Sequence, residues 1–326
     1  MLTDHYTKTR ESTAKFERNF AQTYNATINF SRTFAQKHNI NLMLGMEYYD
    51  NYKRGFEAKG SGAPTDDFAD LNLTDKGEGK RSIDSWHEQY RILSYFGRLN
   101  YDFKDKYLLS AVFRQDGYSS LLGDNRWGFF PSLSAAWRIS EEGFFKNNVT
   151  FVDYLKLRSS VGLLGNDAVG GWQWLQSYDL TGGAYFGELS SGLSVGVLPN
   201  PNITWEKSFS YNGGLDAQLL KNRLSVNIDA FYRHTYDILG DRLASLPTTF
   251  GAKMPAENYA TIDSKGFEIE LGWQDKVGKD FVYWVKGNLG YATNKLIEKD
   301  EAENLRPYKS ELGFNTDRQM GYIATD

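Results

Sequence analysis

Glu268 and Glu270 stand two residues apart in SKGFEIELGW, and on an extended strand that spacing puts both carboxylates on one face, about 7 Å apart. The separation suits an inverting glycosidase pair. Such a pair also needs one carboxyl desolvated enough to keep its proton, and nothing marks either glutamate that way. Alternating Glu on a wet strand face is the simpler reading, so catalysis is not expected. The four histidines, His5, His38, His87 and His234, are scattered, and none has a second metal ligand at a workable spacing. With no cysteine in 326 residues, thiol catalysis, Cys-ligated metals and disulfide frameworks are excluded. There is no phosphate-cradling glycine loop, metalloprotease helix or serine nucleophile elbow, so neither an enzyme nor a cofactor is indicated.

Aromatic residues offer better binding chemistry. Residues 165–203 are rich in Gly and carry Trp172, Trp174, Tyr178, Tyr185 and Phe186. Aromatic rings in a long loop stack on sugar rings or dock a partner, and they also pack on one another to hold the loop's shape. These five are the candidate substrate or partner contacts.

The elements that would carry this loop are read from period-two alternation, which yields about ten strands and almost no helix. In YFGRLNYDFKDKYLLSAVFRQDG, Tyr95, Gly97, Leu99, Tyr101 and Phe103 alternate with Arg98, Asn100 and Asp102. The pattern resumes after KDK with Tyr107, Leu109, Ala111 and Phe113. DYLKLRSSVGLL sets Leu155, Leu157 and Val161 against Lys156, Arg158 and Ser160, and SKGFEIELGW sets Phe267, Ile269 and Leu271 against Glu268 and Glu270. The links alternate strictly between short (AQKHN, KDK, LLKN, DKVGKD, with a moderate one near 140–152) and long (50–87, 115–127, 165–203, 237–262). Compact domains rarely hold several connections beyond about 15 residues. A transmembrane barrel with tight turns at one rim and long loops at the other predicts this asymmetry.

Composition is compatible. Aromatics make up 15% of the chain, with 21 Tyr and 8 Trp, residues that favour a boundary between apolar and wet surroundings. Phe34, Tyr101, Phe103, Tyr107, Trp137, Trp273, Phe281 and Tyr283 sit beside the short links. Tyr48, Phe113, Trp127, Tyr211 and Tyr232 sit towards the long ones. Mean hydropathy is −0.54, and no segment approaches the roughly 18–20 apolar residues of a membrane helix. Barrel strands show only half their residues to lipid, so their average stays low. A net charge of −4 gives no electrostatic case for nucleic acid.

The blocks KHNINLMLGMEYYDNYKRGFEAKGSGAPTDDF, LSYFGRLNYDFKDKYLLSAVFRQDGYSS, NRWGFFPSLSAAWRISEEGFF, DYLKLRSSVGLLGND and NPNITWEKSFSYNGGLDAQLLKNRLSVNIDAFYRHTYDIL, in this order, resemble the SusC/RagA family of TonB-dependent outer-membrane transporters of Bacteroidetes. The resemblance runs from about Thr23 to GYIATD. It implies an all-β, antiparallel up-and-down transmembrane β-barrel segment, about ten strands of a barrel of about 22. Short turns would be periplasmic and long loops extracellular. It further implies import of oligosaccharides or peptides across the outer membrane of a Gram-negative bacterium. A SusD-like surface lipoprotein would serve as lid, with TonB–ExbB–ExbD as energy source. A SusC-like protein also has a signal peptide, a TonB box, a plug domain and further strands. None of these is recognised here, so residues 1–326 are expected to be a single partial barrel domain. Arg114, Asp116, Asn125, Arg126, Arg158, Asn166 and Asp167 fall in the resembling blocks and are expected in lumenal polar networks and loop bases. Two alternatives stand beside this reading: a passive porin, and a soluble carbohydrate-binding or glycoside-active β domain.

Overall fold

In the computed structural model the described residues are 10–65, 70–167, 169–185, 189–242, 252–319 and 321, with 181–185 and 189–191 described by backbone only. Strands dominate: β1 (Glu11–Phe34), β2 (His38–Ser61), β3 (Arg81–Phe103), β4 (Tyr107–Tyr118), β5 (Trp127–Arg138), β6 (Val152–Asn166), β7 (Tyr178–Tyr185), β8 (Leu189–Val195), β9 (Glu206–Leu219), β10 (Leu224–Gly240), β11 (Glu257–Val277) and β12 (Phe281–Glu298). One helical turn, α1 (Gly143–Lys146), lies between β5 and β6. Ten strands form one sheet in the order β1-β2-β3-β4-β5-β6-β9-β10-β11-β12, and among the described residues β7 and β8 pair with each other as a second sheet. From β4 to β12 every pair in the large sheet is antiparallel. The ten strands of the large sheet are those the sequence predicts, and the links alternate in length except that the one between β4 and β5, 119–126, is shorter than the one between β5 and β6, 139–151. By chain contacts the residues fall into two compact units, residues 1–25 with 47–93, and 26–46 with 94–326.

In the larger unit the register turns alternation into bands. Leu157, Leu215, Ile228, Ile269 and Leu289 are successive cross-strand partners from β6 to β12. The next residue on each strand gives the row Arg158, Gly214, Asp229, Glu268 and Gly290, on the opposite face. A slip of one residue would exchange the two bands, so the register is strongly specified. Apolar side chains of the first face stay exposed, among them Leu133, Leu157 and Leu271. A contiguous exposed apolar band of this kind needs a lipid or protein cover.

Two of the short links, AQKHN and KDK, are built alike. Ala35 and Gln36, and then Lys104 and Asp105, have positive φ at both central positions, the pattern of a two-residue type I′ hairpin turn. Adjacent turns are tied by backbone bonds: Lys104 N to Lys37 O, Arg138 N to Lys106 O, Leu220 N to Phe151 O and Gln274 N to Arg223 O, each 2.8 Å. One rim is thereby stitched turn to turn.

Strand length departs from the sequence reading. β1, β2 and β3 contain 24, 24 and 23 residues, and the link between β2 and β3 shrinks to 62–80. Spanning a bilayer takes only about 9–11 residues. Beyond lipid nothing selects apolar side chains, so alternation fades from the sequence while the backbone ladder continues.

Candidate functional site: the polar face and the long-loop ends

On the polar face of the larger unit, Arg158 reaches from β6 across β9 to β10. Its Nη1 donates to Asp229 Oδ1 at 2.6 Å, its Nη2 to Asp229 Oδ2 at 2.5 Å, and its Nε to Asp216 Oδ1 at 3.1 Å. Gly214 lies beneath the guanidinium, where an added Cβ would stand 2.6 Å from Arg158 Cζ. Lys156 Nζ meets the other Asp216 oxygen at 2.7 Å. Nearby, Ser110 Oγ donates to Asn100 Oδ1 at 2.7 Å. Asn100, Ser110, Ser134, Lys156, Arg158, Ser160 and Asn212 line a recess of about 490 Å³. A wall of small polar side chains with compensated charges suits a hydrated passage. Glu268 and Glu270 are exposed on this face, paired in register with Asp229 and Asn227. Neither is enclosed, as an acid catalyst would be.

At the long-loop end the chain builds its best-buried core. Leu121, Val169, Ile203 and Trp205 are at most 4% exposed, and Tyr118 and Phe130 stack edge-on against Trp205 at 6.1 and 5.4 Å. Trp205 Nε1 donates to Arg126 O at 3.2 Å, and Arg126 Nε donates to Leu121 O at 3.3 Å. Asn258 Nδ2 donates to Thr204 O and Asp237 O, while its Oδ1 accepts from Thr204 N. Asn200 Nδ2 ties the same loop to Ala256 O at 2.8 Å. The connections after β4, β6 and β10 are thus one packed assembly. Other blocks that carry the resemblance also sit at loop bases: Arg114 bonds Asp116 (2.8 Å) and Ser94 (2.9 Å), Asn166 bonds Glu206 (2.8 Å), and Asn125 reaches Pro201 O at 3.5 Å. Asp167 directly follows β6.

The aromatic candidates separate on this frame. Trp174 is half-buried and donates Nε1 to Ser120 O at 3.1 Å, which gives it a packing role. Trp172 packs on Trp174 at 5.9 Å yet stays exposed, with φ of 63°. That left-handed backbone is unusual for a bulky residue and costs of order 1–3 kcal/mol. Strain of this kind clusters at ligand clamps. Trp172, Gln173, Leu175, Val197, Lys253 and Met254 line a cleft of about 720 Å³. Tyr178 is exposed at the start of β7, outside this cleft. Tyr185 is described by backbone alone, and Phe186 lies outside the described residues.

The sequence scan for known families matches residues 2–324 to the model described as TonB dependent receptor-like, beta-barrel. The chain belongs to the TonB-dependent receptor β-barrel family. Its similarity to curated members is of the SusC/RagA type. It is 31% identical over 298 residues to the TonB-dependent receptor SusC of Bacteroides thetaiotaomicron, covering 87% of this chain and 29% of SusC. With TonB-dependent receptor P26 of Formosa agariphila it shares 35% identity over 239 residues, 73% of this chain and 24% of that receptor. The fold is similar to the RagAB peptide importer in its closed-closed state, with a TM-score of 0.80 at 23% identity over 95% of this chain and 34% of that one. The chain therefore spans less than a third of the length of the curated relatives it matches. The exposed apolar band is the lipid-facing side of a TonB-dependent receptor barrel, and the Arg158 face is its interior.

Proposed function

We propose that this chain forms barrel wall and extracellular loops of a SusC-like importer that takes up oligosaccharides or other bulky nutrients, such as peptides, across the outer membrane. A SusD-like surface lipoprotein would close over the loops, and TonB–ExbB–ExbD would drive release. The observation that carries this reading is the assembly of the three long-loop bases around Trp205, which holds an exposed, strained Trp172 at the lip of a large cleft. A rigid loop base presenting an aromatic edge suits capture of a bulky ligand before passage. The polar interior behind it offers a wetted path with its charges already paired.

The test is uptake of fluorescent oligosaccharides and peptides by cells carrying the protein in its native outer membrane, with and without TonB. Import should vanish without TonB and fall when Trp172 is replaced. Import that persists at the same rate without TonB would identify a passive porin instead.

A further inference from the structure

The cleft beside Trp172 is built from four segments: 171–177 after β6, 197–198 before β9, 241 after β10 and 252–256 before β11. Their backbones are tied to one another. Leu198 N donates to Lys253 O at 2.9 Å, Asn200 N to Gln173 O at 2.9 Å, and Val197 N to Ser177 Oγ at 3.1 Å. Tyr259 Oη donates to Asp241 O at 3.3 Å, which fixes the remaining segment. The walls are thus set before a ligand arrives, as in most small-molecule sites.

The lining discriminates between kinds of cargo. Leu175, Val197, Leu198 and Met254 give it an aliphatic surface, and Leu175 and Val197 are exposed there. Trp172 is the one aromatic ring among the described lining residues. The neutral polar side chains are already committed: Gln173 Nε2 donates to Gly170 O at 3.1 Å, and Ser177 Oγ is held by Val197 N. A glycan needs ring faces to stack on and free amides or hydroxyls to read its own hydroxyls. Both are scarce in this cleft.

Two charges remain on the lining, Asp241 and Lys253. Both are exposed, and among the described residues neither side chain is hydrogen-bonded or ion-paired, to the other or elsewhere. Their backbones, by contrast, are pinned at Asp241 O and Lys253 O. An unpaired acid and an unpaired base on one aliphatic cleft complement a ligand that is charged with opposite signs at its ends and apolar between them.

We infer that this cleft captures short peptides with free termini and aliphatic side chains. Asp241 takes the terminal ammonium, Lys253 takes the terminal carboxylate, and Leu175, Val197, Leu198 and Met254 cover the side chains. The inference rests on the importer reading and narrows it, from bulky nutrients in general to peptides recognised by their ends.

The test measures equilibrium binding to the full-length receptor purified from its outer membrane. The probes are trileucine, N-acetyl-trileucine, trileucine amide, triserine and cellotetraose. Trileucine should bind about fivefold tighter than either blocked form and at least about tenfold tighter than triserine. Asp241→Asn should lose the preference over the acetylated form alone, and Lys253→Met the preference over the amide alone. Equal weakening of every probe in both variants would refute recognition of the ends. Equal binding of free and blocked trileucine by wild type would overturn the inference, and this arm needs no variant to fold. Tighter binding of cellotetraose than of trileucine would also overturn it. Uptake by cells with and without TonB separates the two readings. End-discriminating binding with TonB-independent uptake would sink the importer and leave the cleft assignment standing. TonB-dependent uptake of cellotetraose and not of trileucine would do the reverse.

Discussion

Arg158 on β6 grips both carboxylate oxygens of Asp229 on β10 across Gly214, the β9 residue paired in register with each of them. The missing side chain at 214 is what lets one guanidinium join strands that are not neighbours. In the same row Asp229 stands opposite Glu268, so the arginine also offsets a like-charge cross-strand pair.

Gly214→Val is expected to displace this guanidinium, because a Cβ there would sit within 3 Å of three of its atoms. Arg158 and Asp229 are each about a quarter to a third exposed. Water therefore screens the pair, and the expected loss is about 1–3 kcal/mol, below that of a fully buried network. Gly213→Val is the control, since its Cβ points into open space. Thermal unfolding in detergent, followed by the mobility shift of the folded form, should separate the two. Equal destabilisation would assign the effect to side-chain bulk anywhere on β9 and not to the ion pair.

Trp205→Ala should open the long-loop assembly while leaving the sheet intact. The indole is 4% exposed, touches Tyr118 and Phe130, and bonds Arg126 O. Removing a buried Trp costs roughly 3–5 kcal/mol locally. Hydrogen exchange should accelerate in residues 119–126 and 198–205, with β9 and β10 unchanged. Uniform acceleration across the sheet would show that the loop core supports the whole unit.

Period two made the ten strands, their two faces and the alternation of links legible, because lipid on one side and water on the other select residue by residue. Leu157 beside Arg158 is that selection in miniature. What stayed hidden depended on register or on loops. No local pattern places Arg158 over Gly214 two strands from Asp229. Ile203 and Trp205 read as loop residues, yet they form the tightest core with Leu121, more than 80 positions away. The β7–β8 hairpin was concealed by its glycines, and the outer reaches of β1 to β3 by mixed polar and aromatic composition. Among the aromatic candidates, composition could not separate Trp174, which packs, from Trp172, which is presented.

Trp172→Ala should weaken ligand capture without unfolding the loop, since its ring is exposed and Trp174 keeps its bond to Ser120. Loss of an aromatic contact of this kind costs about 1–2 kcal/mol, or about five- to thirtyfold in affinity. Alanine keeps a Cβ at this positive φ, so the backbone strain stays, and stability should change little because the ring removed is exposed. Isothermal titration with the imported nutrient checks the affinity and thermal unfolding checks the fold. Unchanged affinity would remove Trp172 from the binding surface.

Glu142 should make the stitched rim sensitive to acid. It lies in the moderate link after β5, and its carboxylate accepts from Tyr107 Oη at 2.7 Å, Lys106 Nζ at 3.0 Å and Trp137 Nε1 at 3.2 Å. The Tyr107 hydroxyl, followed by the Lys106 ammonium, holds its pKa down at about 2, against an ordinary value of 4.5. A depressed carboxylate stabilises the folded form above its unfolded pKa, and that contribution disappears as pH falls through the folded one. The clamp between the KDK turn and the β5–β6 link should therefore be complete above pH 4.5 and lost progressively towards pH 2. Glu142→Gln keeps the shape and removes the charge, so it should be less stable than wild type at pH 7 and should match it near pH 2. Unfolding midpoints of both proteins across that range decide the matter: parallel curves would mean that Glu142 is not the titrating clamp.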